Sequence, residues 1–439
     1  MKHSLLTAIT CIGLSSGAWS QYLDKAKLDS YFNTLEQNNR FMGSVAVAKD
    51  GVIIYRKSVG MADIEAKIPA TELTKYRIGS ISKTFTAVLL LRAVEEQKIT
   101  LSQTINKWFP DIPNANKITI QQLLTHRSGL HNFTDEDDYI TWNTQPKTEQ
   151  EMLAIISKGG SDFDPDSKAA YSNSNYVVLT YVLEKVYGKP YATILNEKIV
   201  QPLGLTNTYV FDKINTSNQE SKSYFFSGEW KPVSETDYTI PLGAGAIAST
   251  PSDITKFAHG LFNGKLLSNQ SLELMKTVKD NYAMGLFAVP FYEYTGYGHT
   301  GGIDGFSSVY SYFDEGKISY ALCGNGANYN INNVSIAVLS AVYGIPYEIP
   351  VFTSITVTSE DLDQYLGVYS STQIPLKITI TKDGATLMAQ ATGQSSFPLD
   401  AIAKDEFSFE QAGVTLLFNV AEGSMILKQG GVAYSFTRD

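Results

Sequence analysis

The chain has 439 residues with 35 basic and 44 acidic side chains, a formal net charge of −9. That length allows a large core and more than one domain, and an acidic balance without a basic patch argues against a nucleic-acid partner, which needs a positive face. The two cysteines are Cys11 and Cys323, and loss of the N-terminal segment described next would leave one, so no intramolecular disulfide is expected.

Met1-Lys2-His3 is a short basic start, Leu5 to Leu14 is mostly apolar, and Ala18-Trp19-Ser20 is a small-x-small site ahead of Gln21. These are the three parts of a secretory signal peptide over residues 1–20. The apolar core is too short to span a bilayer, and Cys11 lacks the small residue that precedes a lipid-modified cysteine, so simple cleavage is favoured over an anchor. A periplasmic or secreted location is expected. No later stretch is long and apolar enough to cross a membrane.

Residues 24–39 have the spacing of an amphipathic helix. Gly43 to Ala48 and Gly51 to Lys57 read as strands, and the Asp50-Gly51 pair between them is a hairpin signal. Tyr76-Arg77-Ile78-Gly79-Ser80-Ile81-Ser82-Lys83-Thr84-Phe85 then runs into the apolar segment Thr86 to Leu91, which predicts a buried helix. Ser80 and Lys83, three residues apart, fall on one face of its first turn. A serine hydroxyl is a weak nucleophile at neutral pH and needs an adjacent base and N–H donors for a developing oxyanion. A helix start carrying a lysine offers a positive field and such donors. Ser-x-x-Lys also arises by chance in a chain this long, but this is the single instance here and it stands at a loop-to-helix boundary.

Ile118 to Leu124 and the loop His126-Arg127-Ser128-Gly129-Leu130 follow. From there to Asp166 the chain is polar, aromatic and irregular, a candidate rim or lid over a site. Tyr171-Ser172-Asn173 precedes a second apolar helical pattern from Asn175 to Leu183. A tyrosine on such a loop can shuttle a proton if a nearby ammonium lowers its pKa, and Asn173 could hold a substrate amide. Tyrosine is abundant, with 26 copies, so the triplet alone is a weak signal. Gly298-His299-Thr300-Gly301-Gly302 comes next, with Phe306 to Phe313 and Ile318 to Cys323 alternating like antiparallel strands. Its glycine pair would let a substrate backbone lie against a strand, although by itself the stretch reads more simply as a glycine-rich hairpin with a satisfied histidine.

Ser-x-x-Lys, Tyr-Ser-Asn and His-Thr-Gly stand in that order, together with Leu123 to Leu130, Pro202-Leu203-Gly204-Leu205 with Thr208, and Gly243-Ala244-Gly245 leading to Ser249-Thr250-Pro251-Ser252-Asp253. In these motifs the chain resembles the serine β-lactamase and penicillin-binding-protein superfamily, in the branch of class C β-lactamases, D-alanyl-D-alanine carboxypeptidases and related esterases. The resemblance implies an α+β fold over residues 21–345, an antiparallel sheet flanked by helices with a helical subdomain. It implies that Ser80 is the acylated nucleophile, that Lys83 and Tyr171 handle its proton, and that the N–H groups of Ser80 and Gly302 form an oxyanion hole. Asn173, His299, Thr300 and Gly301 are implied to bind substrate. Which of Lys83 and Tyr171 is the base stays open.

Ala192 stands where a class A enzyme carries the glutamate before Leu195-Asn196, so the class A deacylation scheme is not expected. The β-lactamases of this branch carry lysine where His299 stands. That ranks a carboxypeptidase-like peptidase or an esterase above a class C-like β-lactamase, and a catalytically silent penicillin-binding or ligand-binding protein is the remaining alternative. His299 is expected to titrate near 6.5, as a switchable charge for a substrate carboxylate. The expected substrate is a small peptide, ester or β-lactam.

Residues 346–358, with Pro346 and Pro350, read as a linker. Residues 359–439 hold short alternating runs at 376–381, 385–391, 407–409, 414–419, 425–428 and 432–436, with Asp383-Gly384 and Gly430-Gly431 as turns. They resemble the small lipocalin-like β-domain appended to many members of the family, an all-β barrel-like unit with a structural or substrate-rim role. His126, His131 and Asp135-Glu136-Asp137-Asp138 lack the spacing of a zinc or calcium site, and no glycine-rich phosphate loop follows a strand, so neither metal nor cofactor is expected.

Overall fold

The computed structural model describes residues 23–352 and 355–439; the expected leader lies outside the described residues, as do positions 353 and 354 of the expected linker. Helix α1 (Lys25–Gln37) starts where the Asp24 carboxylate accepts the Lys27 N–H at 2.9 Å, and it buries Leu28, Tyr31, Phe32 and Leu35, the stripe of an amphipathic helix. Strands β1 (Phe41–Lys49) and β2 (Val52–Val59) form the hairpin read from Asp50-Gly51, with φ of +48° and +77° at those two residues, as a type I′ turn requires.

Helix α2 (Ser82–Glu95) is buried from Ser82 to Leu91, a core helix without a polar face. Helix α3 (Glu149–Gly159) begins at a reciprocal cap between Thr148 and Glu151, so the segment read as irregular up to Asp166 contains a helix of eleven residues besides short helical turns at Phe133–Asp135 and Tyr139–Trp142. Helix α4 (Asn173–Tyr187) ends at Gly188 in the left-handed region, and α5 (Pro251–Phe262) stacks Phe257 on Phe85 of α2 with centroids 3.7 Å apart.

Strands β3 (Phe287–Phe291), β4 (Tyr294–Ile303), β5 (Phe306–Phe313) and β6 (Ile318–Ala327) complete one antiparallel sheet of order β3-β4-β5-β6-β1-β2. Its central strands β1 and β6 are buried almost throughout. Helices α1 and α6 (Ile331–Tyr343) pack on one face over Phe32, Val45, Leu322 and Val338, while the other face meets α5 and the larger core around α2 and α4. The chain therefore folds as the expected α+β sheet with helices on both faces and a helical subdomain.

Beyond the linker, β7 (Gly367–Ser370), β8 (Lys377–Asp383), β9 (Thr386–Ala391), β10 (Phe397–Ala403), β11 (Glu406–Phe409), β12 (Val414–Asn419), β13 (Ser424–Gln429) and β14 (Val432–Arg438) close into a barrel in sequence order. Its core includes Ile380, Leu387, Leu399, Phe407, Leu416 and Phe436. Gly430 and Gly431 both have positive φ, as a two-residue hairpin turn favours. The other expected turn lies one residue later than Asp383-Gly384, because Asp383 pairs with Thr386 and the loop is Gly384-Ala385. Two strands escape the sequence reading: β7 is four residues long, and β10 carries Pro398, which weakens a strand signal. The barrel meets the first unit where Asp400 pairs with Arg40 and where the Ile355 N–H donates to Ala401 O at 3.0 Å.

Candidate active site

Gly79, with φ +49°, opens a single 3₁₀ turn (Gly79–Ile81) that carries Ser80 and hands over to α2 at Ser82. Ser80 thus stands one turn ahead of the α-helix, and Lys83 lies on that helix's first turn. Lys83 Nζ is 2.9 Å from Ser80 Oγ, 2.7 Å from Asn173 Oδ1 and 2.8 Å from Ala244 O. The Tyr171 hydroxyl donates to Ser80 Oγ at 2.7 Å. Five residues from distant parts of the chain, Ser80, Lys83, Tyr171, Asn173 and Ala244, converge on Ser80 Oγ and Lys83 Nζ.

Lys83 is fully buried, and burial holds its pKa well below the usual lysine range. Its Nζ donates to Ser80 Oγ, Asn173 Oδ1 and Ala244 O, and the lowered pKa favours the neutral amine. Burial pushes the Tyr171 phenol up, so it is a proton donor to Ser80. The expectation that an ammonium would lower Tyr171 is therefore corrected: burial raises the phenol although Lys83 Nζ lies 4.8 Å from its ring centre. Asn173 is also more committed than expected. Its Nδ2 donates to Thr134 Oγ1 at 3.0 Å and its Oδ1 accepts from Lys83, although the residue still lines the site.

His299 corrects a second expectation. Its ring is buried against Phe287, its Nδ1–H donates to Thr300 O at 2.5 Å, and burial reinforced by Lys83 lowers its pKa to about 3. It is neutral throughout the working range rather than a switch near 6.5. On β4, His299 lies across from Tyr310, whose hydroxyl meets Thr84 of α2, so His299 faces the Ser80 side of the sheet. Thr300, the next residue along, faces the α6 side, and it lines a separate cavity there.

Gly301 packs against Ile78, where a Cβ would fall 2.0 Å from Ile78 O. Gly302 borders the cavity beside Ser80. A Cβ on Gly79 would lie 2.8 Å from Gly302 N, so the bare glycine is what lets the two backbones approach. Strand β3 pairs with β4 only over Tyr294 to Gly298. Among the described residues, no strand lies beside that edge of β4 from His299 to Ile303, which suits an extended substrate segment.

A cavity of about 650 Å³ opens over Ser80. The stretch read as a rim supplies Phe133, Thr134, Tyr139, Ile140, Asn143 and Thr144 to its wall. Among the described lining residues, Asp304 alone can carry a charge at neutral pH, and no lysine or arginine is present. Asp304 is buried and accepts from Arg77 Nη1 at 3.1 Å and from the Thr236 N–H and hydroxyl. Arg77 is itself committed to Glu235 and to two carbonyls, so it offers nothing to a substrate anion. Gly79, His126, Thr134, Arg77 and Asp304 were given no role from sequence. Arg77 and Gly79 lie in the stretch that leads to Ser80 and His126 in the loop after Leu124, but Asp304 carries no local signal beyond its place in a turn.

The sequence model of the β-lactamase family matches residues 28–342. The chain belongs to the β-lactamase family. Within this family it is 28% identical over 315 residues to the penicillin-binding protein PbpX of Bacillus subtilis strain 168, covering 69% of this chain and 77% of that one. It is 31% identical over 274 residues to the teichoic acid D-alanine hydrolase of Staphylococcus aureus strain MRSA252, covering 60% of this chain and 66% of that relative. Among solved structures it is similar to the D-amino acid amidase of Ochrobactrum anthropi SV3 complexed with L-phenylalanine amide, at 26% identity and a TM-score of 0.62 over 72% of this chain and 98% of that one. The penicillin-binding protein homologue from Pyrococcus abyssi shares the fold along 94% of this chain and 99% of its own, at 23% identity and a TM-score of 0.65. Family and hydrolase relatives together make the chain a serine hydrolase of the β-lactamase type.

Proposed function

We propose that this hydrolase releases D-alanine or a similar D-amino acid from an ester or amide through an acyl-enzyme on Ser80. The observation that carries this reading is the charge of the cavity. A peptide ending in a free carboxylate needs a cation at the site, and the lining residues supply none; the one carboxyl in the wall, Asp304, already accepts from Arg77 and Thr236 and would meet a free α-ammonium as part of that pair. The named relatives that act on D-alanine and on D-amino acid amides support the same class. An esterase or amidase is thereby preferred to a D-alanyl-D-alanine carboxypeptidase or a β-lactamase.

In this mechanism the Ser80 hydroxyl gives its proton to neutral Lys83 as Oγ bonds to the substrate carbonyl carbon. The N–H groups of Ser80 and Gly302 receive the oxyanion. Tyr171 donates to the departing oxygen or nitrogen and is reprotonated from Lys83. Water then attacks the acyl carbonyl by the reverse sequence and frees the amino acid. Export through cleavage after Ser20 belongs to the same reading, and N-terminal sequencing of the mature protein checks it.

The test compares a D-alanyl ester, the same ester N-acetylated, a D-alanyl-D-alanine peptide and a penicillin, with intact mass and product release read separately. The D-alanyl ester should turn over best, its N-acetyl form about tenfold less well, and Ser80→Ala should remove all acylation. Better turnover of the peptide would sustain the carboxypeptidase instead, and labelling of the alanine variant would refute the nucleophile.

A further inference from the structure

Strand β4 is a wall between two cavities. On the side away from Ser80, α6 covers β6 and β1 but leaves the surface of β3, β4 and β5 partly open, and a cavity of about 610 Å³ lies between them. Val289, Phe291, Val309, Ile331, Ile336 and Leu339 give it apolar walls. No aspartate, glutamate, lysine or arginine lines it among the described residues. Its size falls in the range of small-molecule sites.

Two hydroxyls in the wall make it more than an apolar groove. Ser311 is 1% exposed and its Oγ has no hydrogen-bond partner, and the buried Ser307 Oγ has none either. Ser335 in the same wall is satisfied by Tyr320 and by Ile331 O. Burying an unpaired hydroxyl is unfavourable, so it is a place where a partner gains free energy. A charged ligand would be desolvated there without compensation.

We propose that this cavity binds an uncharged medium-chain amphiphile, an alkyl chain carrying one hydroxyl that pairs with Ser311. The chain lies along Val309, Phe291 and Leu339. Ile336, 40% exposed, stands at the mouth. The site is independent of the Ser80 chemistry, although both use β4.

Titration calorimetry with 1-octanol and with octanoate tests this on the full chain. Octanol should bind saturably with one site per chain, and octanoate about tenfold more weakly because of its charge. Ile336→Trp, at an exposed position that tolerates substitution, should close the mouth and weaken octanol about tenfold. Ser311→Ala, which removes an unpaired hydroxyl and should fold at least as well, should weaken it about threefold. Partition without saturation, octanoate binding as tight as octanol, or unchanged octanol affinity in either variant would overturn the proposal.

Discussion

His126 and Tyr171 lie face to face, their ring centres 4.5 Å apart and their planes 29° from parallel. His126 is fully buried at φ +56°, and its Nδ1 accepts the Ser172 N–H at 3.1 Å. Burial holds its pKa well below the usual histidine range. It therefore fixes both the ring of Tyr171 and the backbone next to it. His126→Phe keeps the stack but leaves a buried N–H unpaired, which should cost about 1–3 kcal/mol of stability. A displacement of Tyr171 approaching 1 Å should lower kcat about a hundredfold with KM little changed. Urea unfolding and steady-state kinetics on the same preparation separate the two effects.

In the proposed mechanism Lys83 works only when neutral. Since burial lowers its pKa, the active form is present above that lowered value and is lost as pH falls through it. The kcat/KM for a substrate of constant charge should rise with pH on a single acid limb and reach its plateau well below the ordinary lysine range. Tyr171, whose pKa is raised, should add no alkaline fall below the usual phenol range. Lys83→Arg places a permanent charge in the same space and should lower acylation by about 10²–10⁴, the usual scale of a general base. Stopped-flow acylation against pH measures both.

Neutral His299 predicts a flat profile of another kind. The ratio of kcat/KM for a carboxylate-bearing over a neutral substrate should not change between pH 5 and 8, because a group titrating near 3 does not change charge there. Folding stability should change instead. Unfolded histidine takes a proton near 6.5 that folded His299 refuses, so stability falls as pH drops from about 6.5 toward 3. His299→Asn should weaken that decline, and His126 should account for part of what remains. Denaturation midpoints across this range provide the check.

Arg77 and Asp304 hold each other in a setting where neither is safe alone. The arginine is 4% and the aspartate 3% exposed, and burial raises the Asp304 pKa even with Arg77 beside it. Arg77→Met strands that carboxyl and should cost about 3–5 kcal/mol. Asp304→Asn tolerates the left-handed φ of +53° at this position, and adding it should recover more than half of the loss. A double-mutant cycle by chemical denaturation gives the coupling.

The sequence revealed the parts whose signals are local. Asp50-Gly51 dictates its turn through two positive φ values, and Ser80 and Lys83 meet because three residues make one helical turn. Tyr171 and Asn173 were legible by resemblance alone, since no periodicity says that residue 171 touches residue 80. The state of His299 was not legible at all. Its type sets a reference of 6.5, but the shift comes first from burial, which reaches the residue only through folding. The same holds for Tyr171 and Lys83, where sequence suggested which groups interact and burial decided which one holds the proton.

The barrel closes over its narrowest pairing. Strand β7 meets β14 at only Tyr369 with Arg438 and Ser370 with Thr437, whereas β13 and β14 pair over six positions. Lys377 holds the Asp439 side chain at 2.7 Å beside this seam, and the Arg438 guanidinium lies against the Tyr369 ring. A cylinder with one short row of rungs opens there first, so its amide protons along β7 and the end of β14 should exchange with solvent ahead of the other strands. The seam joins the barrel's first strand to its last, and so the two ends of this unit are free to part without disturbing the hairpins between them.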